Sequence, residues 1–311
     1  MTTSLVSTGI QYADGFIETS LYASTSRAIF GYGNSTTYTT LTNQINNIGL
    51  CATDETGVGT ARSGLAAAAY GGDKAIFGYG YNGAYVSMTN LVSNLGVVAA
   101  DVTGVGTIRW TLAAAGYGGD KAIFGYGENT TERSMTNLVT NTGVVGTDVT
   151  GVGTARSGPA AAAYGGDKAI FGYGSDFSNA YTLTNLVSNL GVVAADVTGV
   201  GTGRSDLAAA GYGGDKAIFG YGNASGTDVS VTNLVSNTGV VTANVTGVGI
   251  IRRRLAAAGY GGDKAIFGFG SSGAATKRSI TNLISNIGVV SADTTGVGTA
   301  RNYIAAAGYA S

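Results

Sequence analysis

The stretch GGDKAIFGYG, Gly71–Gly80, recurs letter for letter from Gly118, Gly165 and Gly213. It returns from Gly261 as GGDKAIFGFG and near the start, more loosely, as STSRAIFGYG. The phenylalanines of AIF act as a ruler: Phe30, Phe77, Phe124, Phe171, Phe219 and Phe267 follow one another at steps of 47, 47, 47, 48 and 48. A period in this range signals a propeller or solenoid rather than one mixed core. A second ruler is the Asn of the TN motif: Asn43, Asn90, Asn137, Asn185, Asn233 and Asn282. The step from each of the first five Asn to the next Phe is constant, Asn43 to Phe77 being the first and Asn233 to Phe267 the last. The step from Phe to the following Asn grows along the chain, from Phe30–Asn43 to Phe267–Asn282. All length variation therefore falls in one segment, just after GYG.

Each unit divides into four short strand-like pieces, shown by LAAAAY (65–70), AIFGYG (75–80), MTNLVS (88–93) and GVVAAD (96–101). GGDK is a tight turn between the first two, its glycines free to take positive φ. The third and fourth are joined through Asn94-Leu95, a turn that reads Asn-Thr-Gly in other copies, and TGVGTAR leads to the next unit. Four antiparallel strands in a unit of this length describe a propeller blade. Simple alternation along AIFGYG places Phe77 and Tyr79 on one face and Ile76, Gly78 and Gly80 on the other. Small residues would then let one neighbouring blade approach while the rings fill the gap to the other.

Composition agrees with short strands and tight turns: 53 Gly, one Pro and 44% apolar residues in a chain of 311. Charged residues are only 11% and the formal net charge is −1, so there is no surplus to neutralise phosphates and no nucleic-acid partner is expected. The lone Cys51 excludes an internal disulfide framework. MTTSLVSTGIQY lacks the basic start and apolar run of a signal peptide, and no apolar stretch has membrane-spanning length. Neither Sec export nor membrane insertion is expected.

The string ARSGLAAAAYGGDKAIFGYG carries an Arg, small apolar residues, a GG-containing turn and a hydrophobic strand ending in glycines. In this it resembles kelch repeats, over residues 18–311. The chain departs from that family in reading Gly-Tyr-Gly where a double Gly is usual, and in lacking the Trp near the end of the fourth strand. The near-identical units also resemble uncharacterised kelch-like virion proteins of phages and marine viruses. The resemblance implies an all-β, kelch-like β-propeller spanning 1–311 as a single domain. Residues 18–303 would form six complete four-stranded blades, in repeats of about 47–49 residues. SLVSTGIQYAD copies third and fourth strands and IAAAGYAS copies a first strand. Residues 1–17 and 304–311 are accordingly expected to close the ring as a seventh, composite blade; the alternative is a plain six-bladed ring.

With four up-and-down strands per blade, the second-to-third loops and the connections between blades share one face, and these are the segments that differ between copies. The loops read NSTTYTT, YNGAYVS, ENTTERS, SDFSNAYT, NASGTDVS and SSGAATKRS. The connections end in Ser63-Gly64, Trp110-Thr111, Ser157-Gly158, Ser205-Asp206, Arg253-Arg254 and Asn302-Tyr303. The candidate binding residues follow: the aromatics Tyr38, Tyr81, Tyr85, Trp110, Phe177, Tyr181 and Tyr303, the acids Glu128, Glu132, Asp176, Asp206 and Asp228, and the bases Arg133, Arg253, Arg254, Lys277 and Arg278. Rings that stack on sugars or protein, with polar groups around them, make a recognition face. In contrast, Arg62, Arg109, Arg156, Arg204, Arg252 and Arg301 recur in register with Asp54, Asp101, Asp148, Asp196 and Asp293, with Asn244 breaking the series. Charges repeated in every unit are read as satisfying local partners. Asp73-Lys74 and its copies would ring the opposite face.

The chain has no His, which removes the commonest general base and metal ligand and makes a Ser-His-Asp triad or a Cys-His pair impossible. The copper-radical site of some kelch propellers needs His ligands that are absent here. The non-framework acids are scattered singly over different units rather than paired across a cleft. No enzyme activity, cofactor or metal is expected. The expected function is a non-enzymatic, virion-associated protein of a tail fibre, appendage or capsid surface, assembled in the host cytoplasm. Its partners would be other virion proteins, and its variable face would bind a host-surface glycan or protein receptor. The alternatives are a structural adaptor docking onto another virion subunit and a free cellular lectin.

Overall fold

The computed structural model describes residues 26–309, apart from 177 and 274. Among the described residues there is no helix, and the strands build six three-stranded antiparallel sheets and two short two-stranded ribbons, Asn223–Ala224 with Thr227–Asp228 and Ser271–Ser272 with Thr276–Lys277. The first strand of each three-stranded sheet is Ala-rich: Ala66–Tyr70, Ala113–Tyr117, Ala160–Tyr164, Ala208–Tyr212, Ala256–Tyr260 and Ala305–Tyr309. It pairs with a second strand of the AIFG type: Lys74–Tyr81, Lys121–Gly125, Lys168–Gly172, Lys216–Gly220, Lys264–Gly268 and Arg27–Gly31, in the same order. The third strands are Tyr85–Val92, Thr136–Val139, Thr184–Val187, Thr232–Val235, Thr281–Ile284 and Thr42–Ile45. First strands of successive sheets pack side by side, and Ala305–Tyr309 in turn packs against Ala66–Tyr70. The arrangement is consistent with a propeller-like repeat.

Three expectations need correction. The fourth segment of each unit is not a regular strand. Beside Tyr85–Val92 it makes only the bridges Val92↔Val98 and Thr89↔Val102. Between them the buried Asn90 side chain donates to the Ala99 carbonyl at 3.0 Å, so an amide side chain stands where a backbone ladder would continue. Second, Ala305–Tyr309, expected in a closing seventh blade, pairs with Arg27–Gly31, Phe30 opposite Ala306. It carries AAAGY, which together with AAAAY makes up the other first strands, and follows Arg301 at the usual spacing, so it fits that edge as they do. Residues 1–17, assigned to the closing blade, lie outside the described residues.

Third, Tyr79 does not share a face with Phe77. Its φ is +64°, a left-handed conformation that interrupts strand alternation, and the register against the third strand shifts between Gly78 and Gly80. Phe77 therefore packs on Ile29 and Tyr32 of the preceding sheet, while Ile76 and Tyr79 pack on Leu112 and Phe124 of the next. Gly78 is small for the expected reason: a Cβ there would lie 2.7 Å from Phe124 Cζ. The freed Tyr79 hydroxyl donates to the Val105 carbonyl at 3.2 Å, and Tyr32, Tyr126, Tyr173 and Tyr221 make the equivalent bond.

The six framework arginines are fully buried between sheets. Arg62 stacks its guanidinium 4.5 Å from the Tyr32 ring centroid of the preceding unit. It donates to Asn90 Oδ1 at 2.7 Å, to the Tyr79 carbonyl at 2.8 Å and to the Thr60 carbonyl at 3.0 Å, and lies 3.8 Å from Asp101. All six donate to the Asn of a third strand and five lie within 3.8 Å of an Asp, Asn244 standing at that place beside Arg204, so these buried charges are held by framework partners.

Candidate functional site

Both variable segments meet on one face because each connection bridges the residue that follows GYG. Ser63 pairs with Tyr81, Trp110 with Glu128, Ser157 with Ser175, Ser205 with Asn223, Arg253 with Ser271 and Asn302 with Asn34. At the centre the next residue of each connection takes a left-handed conformation: Gly64, Thr111, Gly158, Asp206, Arg254 and Tyr303 have φ between 48° and 61°. Their backbones form a closed circuit. Each N–H donates to the carbonyl of its predecessor in the order Thr111 to Gly64, Gly158 to Thr111, Asp206 to Gly158, Arg254 to Asp206, Tyr303 to Arg254 and Gly64 to Tyr303, at 2.8–2.9 Å. The same six residues line a cavity of 60 Å³ at the middle of the face.

On one side of this centre the expected aromatics form a continuous cluster. Tyr81 lies 6.0 Å from Tyr38, 5.4 Å from Tyr85 and 5.5 Å from Trp110, centroid to centroid, and Trp110 lies 5.4 Å from Tyr303. Gly64 leaves room for the indole, since a Cβ there would sit 2.9 Å from Trp110 Cε3. The indole N–H donates to Glu128 Oε1 at 2.8 Å, which fixes the ring's orientation. All five rings are half-buried, each with part of its surface open to solvent. Burial raises the Glu128 carboxyl above its ordinary pKa against the lowering effect of the Trp110 bond, with the charges of Glu132 and Asp206 adding to the rise.

The other side is ionic and largely self-satisfied. Arg254 lies 4.4 Å from the Tyr303 ring centroid and pairs through Nε with Asp206 at 3.2 Å. Burial raises Asp206 above the usual carboxylate range, opposed by the Arg254 charge. Arg253 lies 3.5 Å from Asp228, which is only 8% exposed and also accepts from the Gly273 N–H and the Asn223 amide. Lys277 donates to Asn34 Oδ1 at 2.7 Å, Arg133 to Asn129, and Arg278 to Ser272. Asp176 is held down to about 2 by the Tyr181 hydroxyl and by the N–H groups of Ser178 and Asn179. Glu132 bridges Glu128 within its loop. Phe177 lies outside the described residues.

The face is thus divided, a ring cluster at Tyr38, Tyr81, Tyr85 and Trp110 and ion pairs at Asp206, Asp228, Arg253 and Arg254, with Tyr303 touching both and Tyr181 standing apart on Asp176. The sequence reading named nearly all of these side chains. It missed the pairing of the ions and the left-handed ring at Gly64, Thr111 and Gly158, whose signal was the constant offset from each framework Arg. Among the described residues no group of three His, Cys, Asp or Glu side chains is placed to hold a metal ion. No protein-family model and no curated protein matches the chain.

Proposed function

We propose that the chain is a non-enzymatic, six-bladed kelch-like propeller of a virion that binds a host-surface glycan or receptor through its variable face. The blade count is supported by the closed circuit of six backbone bonds and by the pairing of Ala305–Tyr309 with Arg27–Gly31. The observation that carries the function is the cluster of Tyr38, Tyr81, Tyr85, Trp110 and Tyr303. Five half-exposed rings gather where the packing between sheets does not require them, and Glu128 orients the indole. Rings with one apolar face open and polar groups at the margin suit a sugar or a peptide, and several copies on a particle would multiply weak contacts. The virion assignment rests on the resemblance of the repeats.

The test is binding of labelled protein to a panel of bacterial envelopes and polysaccharides, with Tyr85→Ala and Trp110→Ala as variants. Arg253 and Arg254 are unsuitable targets, because their removal would strand the buried Asp228 and Asp206. Selective binding lost in both variants, with melting curves that still report a folded ring, supports the reading. Uniform absence of binding by the folded wild type would transfer the assignment to an adaptor. Mature particles without the protein would remove the virion part.

A further inference from the structure

The opposite face carries a feature that packing does not explain. In the motif GVV after five of the third strands, and in Gly49-Leu50-Cys51 after Thr42–Ile45, the last residue packs inward: Val98 is 8% and Val145 9% exposed, and Cys51, Val193, Val241 and Val290 lie partly buried against the core. The first Val points outward, where a strand with one solvated side ordinarily takes a polar residue. Instead Val97, Val192 and Val289 are 60–64% exposed, and so are their copies in the other units. Two positions earlier, Leu95, Leu190 and Ile287 are 73–77% exposed. Only Thr142 and Thr238 interrupt this second set. These turns adjoin the GGDK turns: a Cβ at Gly118 would lie 3.0 Å from the Asn189 carbonyl oxygen. The result is an apolar annulus around a ring of charged turns.

The charged turns indicate what covers it. Each of five carries an ion pair between adjacent residues, from Lys74–Asp73 at 2.6 Å to Lys168–Asp167 at 3.1 Å, with both side chains partly exposed. The five pairs cancel and alternate in sign, and the sixth turn carries Arg27 after Ser26, so the ring holds a single net positive charge and offers little to a uniformly charged partner. It is complementary to another ring of the same pattern and spacing. About ten apolar side chains at this exposure offer on the order of 1,000 Å² per copy, above the roughly 800 Å² per partner of a standard stable interface. Exposed apolar area of that extent, repeated in every unit, marks an association site.

We propose that two copies of this chain associate back to back through this annulus, apolar turn against apolar turn and Lys against Asp, leaving both variable faces outward. Sedimentation velocity with the full chain tests it. The wild type is expected at twice the 30.9 kDa chain mass at micromolar concentration. The combined Val97→Asp, Val192→Asp and Val289→Asp variant should sediment as a monomer, with dimer affinity at least 100-fold weaker and an unchanged melting curve. Trp110→Ala, on the other face, should remain dimeric. A wild type that stays monomeric at ~100 µM, or a dimer that survives the three Asp substitutions, overturns the proposal. So does a dimer that Trp110→Ala dissolves.

Discussion

Asp148→Asn tests whether the framework acids stabilise the fold through their charge or only through their hydrogen bonds. Asp148 accepts from the Thr107 N–H at 3.0 Å, the Thr107 hydroxyl at 2.6 Å and the Asn137 amide at 2.9 Å, and lies 3.8 Å from the buried Arg109. The chain already displays the product of the substitution. Asn244, at the equivalent position, accepts from the Thr202 N–H at 3.2 Å and from Asn233 at 3.1 Å, and turns one bond round by donating to the Thr202 hydroxyl at 2.7 Å. All three hydrogen bonds survive, so the loss is the difference between charged and neutral acceptors plus a partly screened Arg pairing, about 1–2 kcal/mol.

Burial alone would raise the Asp148 pKa. The bonds from Thr107 and Asn137 and the Arg109 charge outweigh it and hold the folded value below the ordinary one. A depressed folded pKa means that the contribution is fully present above the unfolded value of ~3.9 and fades as pH falls through the lower folded value. Urea midpoints should therefore separate wild type from Asp148→Asn at pH 7 and converge as the pH is lowered toward ~2. Asn244→Asp should shift the other way at pH 7. Equal midpoints at pH 7, or a gap that persists undiminished in acid, would refute the charge argument.

Phe269 is the one copy of the GYG tyrosine without a hydroxyl. Phe269→Tyr should gain about 1 kcal/mol by donating to the Val297 carbonyl, a rise in Tm of roughly 1–2 °C for a chain of this size, and no change in a calorimetric scan would count against the bond. Gly125→Ala places a Cβ 2.8 Å from Phe171 Cζ. It should cost about 1–3 kcal/mol in denaturant titrations, and a neutral result would show that the sheets can part there freely. Burial pushes the Cys51 thiol up to about 11, with a smaller opposing effect of Arg301. Iodoacetamide at pH 8 should therefore label the folded chain well over tenfold more slowly than the urea-unfolded chain; equal rates would show the thiol to be open.

The repeat, its three regular strands and the sharing of one face by the variable loops were all legible in the letters. Fixed Phe and Asn spacings report a fixed packing problem, and alternation reports which side of a strand is buried. What alternation cannot report is a backbone that leaves the β region. Tyr79 changes face because of one positive φ in a residue type that rarely adopts it. The fourth segment reads as a strand by composition, yet the Asn90 side chain takes part of its ladder. The pairing of Arg253 with Asp228 crosses from one unit to the next, and nothing local in either loop announces it. The pairing of Ala305–Tyr309 with Arg27–Gly31 joins segments at opposite ends of the chain, and local sequence does not announce it.

The left-handed ring joins these two kinds of residue. Thr111, Asp206, Arg254 and Tyr303 each adopt a conformation that costs a residue with a Cβ on the order of 1 kcal/mol. They keep it because each supplies one N–H and one carbonyl to a circuit in which every bond is braced by the next. The circuit uses backbone alone, so its bonds call for no particular side chain; only Gly64 and Gly158 are held small by a neighbour, a Cβ there lying 2.9 Å from Trp110 Cε3 and from the Asp206 nitrogen respectively. Reliance on backbone explains how Gly, Thr, Asp, Arg and Tyr occupy equivalent sites in units that are otherwise nearly copies. The same backbone geometry that holds the centre of the face in place leaves its chemistry free to change one residue at a time. A recognition surface could be altered on this frame without disturbing the buried Arg, Phe and Tyr contacts beneath it.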